Sequence, residues 1–208
     1  ISIILTQYKR NNTEIQLRAL FAQTVFSKIE KIVIFQNENY VDLGKKNRHR
    51  IHDIIEIVQS KHRNYKFHGR FALALLFDTE YTVVFDDDTI PQPRWLEIST
   101  SISSQKNAIV GPVGVIVRVL IAIFPGLMTD LLFIQVDYTG HSWTFKTEWL
   151  KYLWGSYSPS WEAGEDIGFS ALAWLHGRIR TIMPKMSLSE YEVWGDSVTR
   201  FHLDENAS

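Results

Sequence analysis

Hydrophobic and polar positions follow a strand-then-helix rhythm through the first half of the chain. Ser2 to Leu5 is a short run rich in β-branched residues and reads as a first strand. Thr13 to Phe26 carries Leu17, Leu20, Phe21 and Phe26 at helical spacing and opens with Thr13-x-x-Gln16, a capping-box pattern. Ile32 to Phe35 predicts a second buried strand. Arg48 to Gln59 sets Ile51, Ile54, Ile55 and Val58 at i, i+3, i+4 and i+7, the apolar stripe of a helix. Gly69 to Phe77 reads as a helix, Tyr81 to Phe85 as a fully buried strand, and Pro93 to Ser103 as a helix with proline near its first turn. Such alternation predicts an α/β domain, a Rossmann-like α/β/α sandwich around a central, mostly parallel sheet. Ligands of such sheets gather at the carboxyl ends of the strands, so the loops after Leu5, Phe35 and Phe85 are where a site is expected.

The second half changes character. Strand-like pieces at Ile109 to Val119 and Leu132 to Val136 follow without helices between them, and helices are expected near Thr147 to Trp154 and Asp166 to His176. The longest apolar stretch, Ala108 to Val136, is interrupted by Arg118 and Asp130 and punctuated by Pro112, Gly114, Pro125 and Gly126. Strands and a turn are therefore expected there rather than a membrane span. No linker divides the 208 residues, so one domain is expected, with residues 1–105 as a ligand-binding half and residues 106–208 as a more variable half. The first residue is Ile1, and the chain stops in a polar tail, which suggests a module of a longer protein with further domains.

Composition narrows the chemistry. There is no cysteine, so disulfides and thiolate metal sites are excluded and any metal must sit on Asp, Glu or His. With no signal segment either, the cytoplasm is the expected compartment. Lys plus Arg (22) nearly balance Asp plus Glu (23), which predicts no general attraction to nucleic acid. Neither a G-x-G-x-x-G nor a G-x-x-x-x-G-K-[ST], G-x-S-x-G or H-E-x-x-H pattern is present, which argues against dinucleotide oxidoreductases, P-loop enzymes, α/β-hydrolases and zincins.

The strongest chemical signal is the buried run Tyr81 to Phe85 leading directly into Asp86-Asp87-Asp88. Three consecutive carboxylates repel one another unless a cation is near. In an extended backbone Asp86 and Asp88 project to one side and Asp87 to the other, a paired-oxygen grip for Mg2+ or Mn2+; the other reading is a solvated acidic turn ahead of the next helix. Four of the seven tryptophans (Trp143, Trp149, Trp154, Trp161) fall in one region. Most belong to a core, and Trp143 and Trp161 are the two expected to reach a ligand. Glu165 and Asp166 begin a helix, where carboxylates also suit the helix dipole.

The ordered set resembles the nucleotide-sugar-dependent glycosyltransferases of the GT-A fold, and among them is most similar to those encoded by large chlorella viruses, whose place would be the host cytoplasm. The parts are a first strand with its loop (Ile3 to Tyr8), the segment Asn64 to Leu76 containing Gly69-Arg70, the acidic triplet, the glycine-containing loop Asp137 to Trp143, Gly164-Glu165-Asp166, and His202. The resemblance implies transfer of a hexose or deoxyhexose from a UDP-sugar to a hydroxyl of a glycan or glycoprotein. It implies Asp86, Asp88 and His202 as metal ligands, with Asp86 touching ribose or donor sugar as the alternative. Thr6, Gln7, Tyr8, Arg70, Asp86, Asp87, Asp137, Gly140 and His141 would hold the nucleotide sugar. Arg70 either forks onto diphosphate oxygens or is a helix-surface arginine, and His202 is either a ligand or a surface histidine. Asp166, with Glu165, would meet the acceptor hydroxyl, as general base if the enzyme inverts and as an orienting group if it retains. Two rivals remain: a nucleotidyltransferase or sugar-nucleotide pyrophosphorylase, disfavoured because Leu5 to Thr13 holds no glycine, and a non-catalytic sugar-binding module.

Overall fold

A computed structural model describes residues 1–8, 10–38, 53–117, 121–123, 133–155 and 160–184. The main sheet contains eight strands: β1 (Ser2–Gln7), β2 (Lys31–Gln36), β3 (Ile55–Gln59), β4 (Tyr81–Phe85), β5 (Ala108–Val110), β8 (Phe133–Val136), β10 (Ser142–Lys146) and β11 (Arg180–Pro184), in the order β3-β2-β1-β4-β10-β5-β11-β8. The run β3-β2-β1-β4 is wholly parallel, and β10 and β8 are inserted antiparallel. A small second sheet joins β7 (Ile121–Ile123), β6 (Val113–Ile116) and β9 (Tyr138–Gly140). Among the described residues no helix is long and apolar enough to cross a membrane.

Alternation along the central strands creates two cores. Ile3, Leu5, Val83 and Phe85 face α1 (Thr13–Phe21) and α3 (Trp95–Lys106), where Leu17, Leu20, Trp95 and Leu96 close on them. Ile4 and Val84 face the other way, with Trp143 and Phe145 of β10, toward α2 (His68–Ala74), α4 (Leu150–Trp154) and α5 (Glu165–Gly177). Phe169 meets Phe71 and Phe145 edge to face, with ring centres 5.7 and 4.9 Å away, and Phe71 and Phe145 lie tilted 6.1 Å apart. Gly69 lets α2 lie close to the sheet: a Cβ there would stand 2.7 Å from Phe35 Cζ. That approach carries its neighbour Arg70 inward.

Two sequence expectations give way. The predicted helix Arg48 to Gln59 contains a strand: Ile55–Gln59 pairs in parallel with β2, while residues 39–52 lie outside the described residues. Four of the five residues Ile54 to Val58 are β-branched, and that local preference, with a free edge on β2, outweighs the helical stripe. The capping box also fails to form. The N-cap is Asn12, without a side-chain cap bond, and Gln16 turns its amide onto the carbonyls of Asp86 (2.7 Å) and Thr89 (3.0 Å). Other expected elements stand within a few residues of their predicted bounds.

Candidate functional site

The parallel strands bring the end of β1 beside the end of β4, and there the acidic triplet meets the β1–α1 loop. The triplet is not extended. Thr89 N donates to Asp86 O at 3.2 Å, so Asp86 to Thr89 forms a turn, and the same-side projection of Asp86 and Asp88 expected from strand alternation does not apply. Each acid has its own surroundings. Asp86 accepts from Arg70 Nη1, and Asp87 accepts from Arg10 Nη1 at 2.8 Å. Asp88 Oδ1 lies 3.5 Å from His141 Nδ1 and 3.3 Å from the Thr89 hydroxyl, which donates to it.

His141 marks the corner where the chain passes from β9 in the small sheet to β10 in the main one. Its φ of +65° makes that corner, and its carbonyl accepts from Asp86 N (2.9 Å) and the Thr89 hydroxyl (3.0 Å). The corner is thereby stitched to the acid turn. Gly140 precedes it, and a Cβ there would meet nothing within 4 Å.

Burial sets the protonation of the turn. Asp86 is pushed up to about 6 because loss of water around its charge outweighs the attraction of Arg70. Burial raises Asp87 too, against the opposing pull of Arg10. Burial also acts upward on Asp88, yet the His141 hydrogen bond and charge, with Arg10, hold it below the usual carboxylate range. Asp88 is therefore the acid of the triplet most firmly ionised.

Arg70 links this turn to the second half of the chain. Its side chain is 4% exposed, with Nη2 donating to Glu165 Oε1 at 2.6 Å and the guanidinium 4.4 Å from the Trp143 ring centre. Expected to fork onto diphosphate, it is instead occupied by Asp86 and Glu165 and shielded by aromatic rings, so the structure makes it an internal tie. Glu165 is likewise only 3% exposed and is engaged by Arg70. Asp166 is half-buried, and burial followed by the charge of Glu165 raises its carboxyl. Gly164, at φ +91°, turns the chain into α5 and brings both acids to its first turn.

The remaining expected residues divide. Thr6, next to last in β1, has a buried hydroxyl with no hydrogen-bond partner among the described residues, and Tyr8, just past the strand, is 43% exposed. Gln7 is 1% exposed and donates to Gln16 Oε1 at 2.9 Å, so it supports the turn from inside rather than facing a ligand. Asp87 faces the β1–α1 loop, where its carboxylate accepts from Tyr8 N, Arg10 N and Arg10 Nη1. Asp137 belongs to the small sheet: its Oδ2 accepts from Val117 N at 2.7 Å. Trp143, 1% exposed, is core beneath Arg70, so no sugar can reach its ring. Trp161 is 58% exposed, stacked on Trp154 (6.3 Å, 23°) and close to His68 (5.0 Å). Sequence reasoning missed Arg10, Asn12 and Gln16 as partners of the turn, since a lone Arg or amide carries no positional signature; their only hint is their place directly after the first strand.

Among the described residues no three His, Asp or Glu side chains converge to enclose a metal ion, and His202 lies outside those residues. The donors present nevertheless suit Mn2+ or Mg2+: an ionised Asp88 and a partly exposed Asp86 are hard oxygen ligands that would leave positions open for phosphate oxygens.

The chain superposes on S. aureus TarS with a TM-score of 0.63 at 15% identity, over 91% of this chain and 37% of that one. It superposes on GalNAc-T7, solved with UDP, GalNAc and Mn2+, with a TM-score of 0.66 at 11% identity, over 88% of this chain and 41% of that one. The chain has the GT-A fold. It spans about two fifths of the length of these two structures. No family model and no curated protein matches the sequence.

Proposed function

We propose that this GT-A domain is a metal-dependent glycosyltransferase that moves a hexose or deoxyhexose from a UDP-sugar to a hydroxyl of a glycan or glycoprotein. One observation carries the reading: the carboxyl end of β4 holds an acid turn bound on one side to the β1–α1 loop and on the other, through Arg70, to the first turn of α5. A nucleotide-contacting loop, a cation-binding carboxylate and an acceptor-side acid are thus neighbours. The GT-A neighbour solved with UDP, GalNAc and Mn2+ supports the same assignment.

In this reading Asp88, with Asp86, holds Mn2+ or Mg2+, which when bound offsets the charge of the departing diphosphate. Thr6 and Tyr8 receive the nucleoside, the unpaired Thr6 hydroxyl gaining a partner. Trp161, its one face covered by Trp154, offers the other to an acceptor pyranose. The acceptor oxygen attacks the anomeric carbon as its bond to the diphosphate breaks. If configuration inverts, the hydroxyl proton passes to the Asp166 carboxylate; if it is retained, the proton passes to the departing diphosphate oxygen and Asp166 orients the acceptor.

The test is a thermal-shift screen of nucleotide sugars with Mn2+ and with EDTA, followed by a nucleotide-release assay on the hits. The expected result is stabilisation by a UDP-sugar in Mn2+ alone, with UDP released. No stabilisation by any nucleotide sugar would overturn the reading.

A further inference from the structure

Asp87 is the acid of the turn that faces the chain's own loop. Its Oδ2 accepts from the backbone N–H of Tyr8 and of Arg10, each at 3.3 Å, its Oδ1 from Arg10 Nη1 at 2.8 Å, and its carbonyl from Asn12 Nδ2 at 2.8 Å. The same Arg10 nitrogen lies 3.9 Å from Asp88 Oδ2. One guanidinium, 14% exposed, therefore stands between the carboxylate that clasps the loop and the carboxylate open to a cation.

We infer that Arg10 is a positioning residue with two opposed effects: through Asp87 it clasps the loop bearing Tyr8 against the acid turn, and beside Asp88 its charge weakens the hold on a divalent cation. The inference rests on the function proposed above for the identities of nucleotide and cation. The charges explain why both effects reside in one side chain. Arg10 pairs with Asp87 and Arg70 is shared by Asp86 and Glu165, so Asp88 is the acid of the triplet without a hydrogen-bonded guanidinium, and a cation arriving there meets Arg10 as a like charge. The clasp needs a charge-assisted bond on a buried carboxylate, which a neutral side chain at position 10 supplies less strongly.

Two variants of the full chain, Arg10→Gln and Asp87→Asn, separate the effects. Calorimetric titration with MnCl2 alone should show Arg10→Gln binding about three- to tenfold more tightly than wild type, since one like charge within a few ångströms is removed. Asp87→Asn, which removes the carboxylate that draws that guanidinium away from Asp88, should bind Mn2+ more weakly. Uridine, which carries no phosphate, should bind roughly five- to tenfold more weakly to both variants, because the loop is no longer preorganised. In hydrogen exchange without ligand, Asp87→Asn should expose the peptide covering residues 8–16 and leave the rest of the sheet protected. A defect that only disturbed folding would weaken both ligands in Arg10→Gln, and in Asp87→Asn it would spread exchange beyond that peptide. Unchanged or weaker Mn2+ binding in Arg10→Gln overturns the inference, as does loss of UDP binding with uridine binding intact, which would make Arg10 a direct diphosphate ligand. Unchanged exchange in Asp87→Asn overturns the clasp. Because the exchange arm needs no ligand, a wild-type chain that binds no uridine refutes the proposed donor without deciding the clasp's result.

Discussion

Arg70 and Glu165, 95 residues apart, form a buried ion pair at 2.6 Å, each side chain 4% exposed. The pair fastens α2 to the head of α5 and so fixes where Asp166 stands relative to the acid turn. Arg70→Gln should cost about 3–5 kcal/mol of folding stability, because it leaves Glu165 and Asp86 without their counter-charge. Urea denaturation measures it; a loss under 1 kcal/mol would mean that the tie is dispensable.

Asp86 gives the fold a pH dependence with a definite sign. Its carboxyl titrates near 6 in the folded chain against 3.8 for the unperturbed group, so the folded state binds its proton more tightly. The stability this contributes is fully present below about pH 4 and is lost as pH rises through 6. Asp86→Asn, which mimics the protonated acid and leaves Arg70 one-to-one with Glu165, should be more stable than wild type at pH 7.5, by on the order of 1–3 kcal/mol, without added metal. At pH 4 the two should melt together. An equal difference at both pH values would contradict the assignment.

The layers of the fold and its acid turn were legible because they rest on patterns that survive in one dimension. Tyr81 to Phe85 is apolar on both faces because it is central, and Asp86 follows it because a strand end is where such charges can reach solvent. What was illegible depends on side chains meeting across the fold. Nothing local to Arg70 says that it points inward; Gly69 permits it, and Glu165 supplies the partner. Trp143 looked like a sugar platform by residue type, but its register opposite Val84 puts it in the core. Ile55 to Gln59 misled because a β-branched edge strand and a helix stripe share the same residues over so short a span.

In the proposed reaction Asp166 is the acid available to the acceptor, since Glu165 is engaged by Arg70. Asp166→Asn should keep donor affinity within about twofold while lowering transfer by about 10²-fold or more if the enzyme inverts. Steady-state kinetics beside donor calorimetry separates the two effects. Transfer at the wild-type rate would remove Asp166 from the reaction.

The most direct test of the whole account is UDP titration by calorimetry in Mn2+, in EDTA, and with Asp88→Ala in Mn2+. Asp88 is buried but holds no guanidinium hydrogen bond, and its removal relieves repulsion within the acid turn, so the variant should melt within a few degrees of wild type. The account predicts UDP binding by the wild type in Mn2+ that is lost both in EDTA and in Asp88→Ala. Equal UDP affinity in wild type and Asp88→Ala would contradict it.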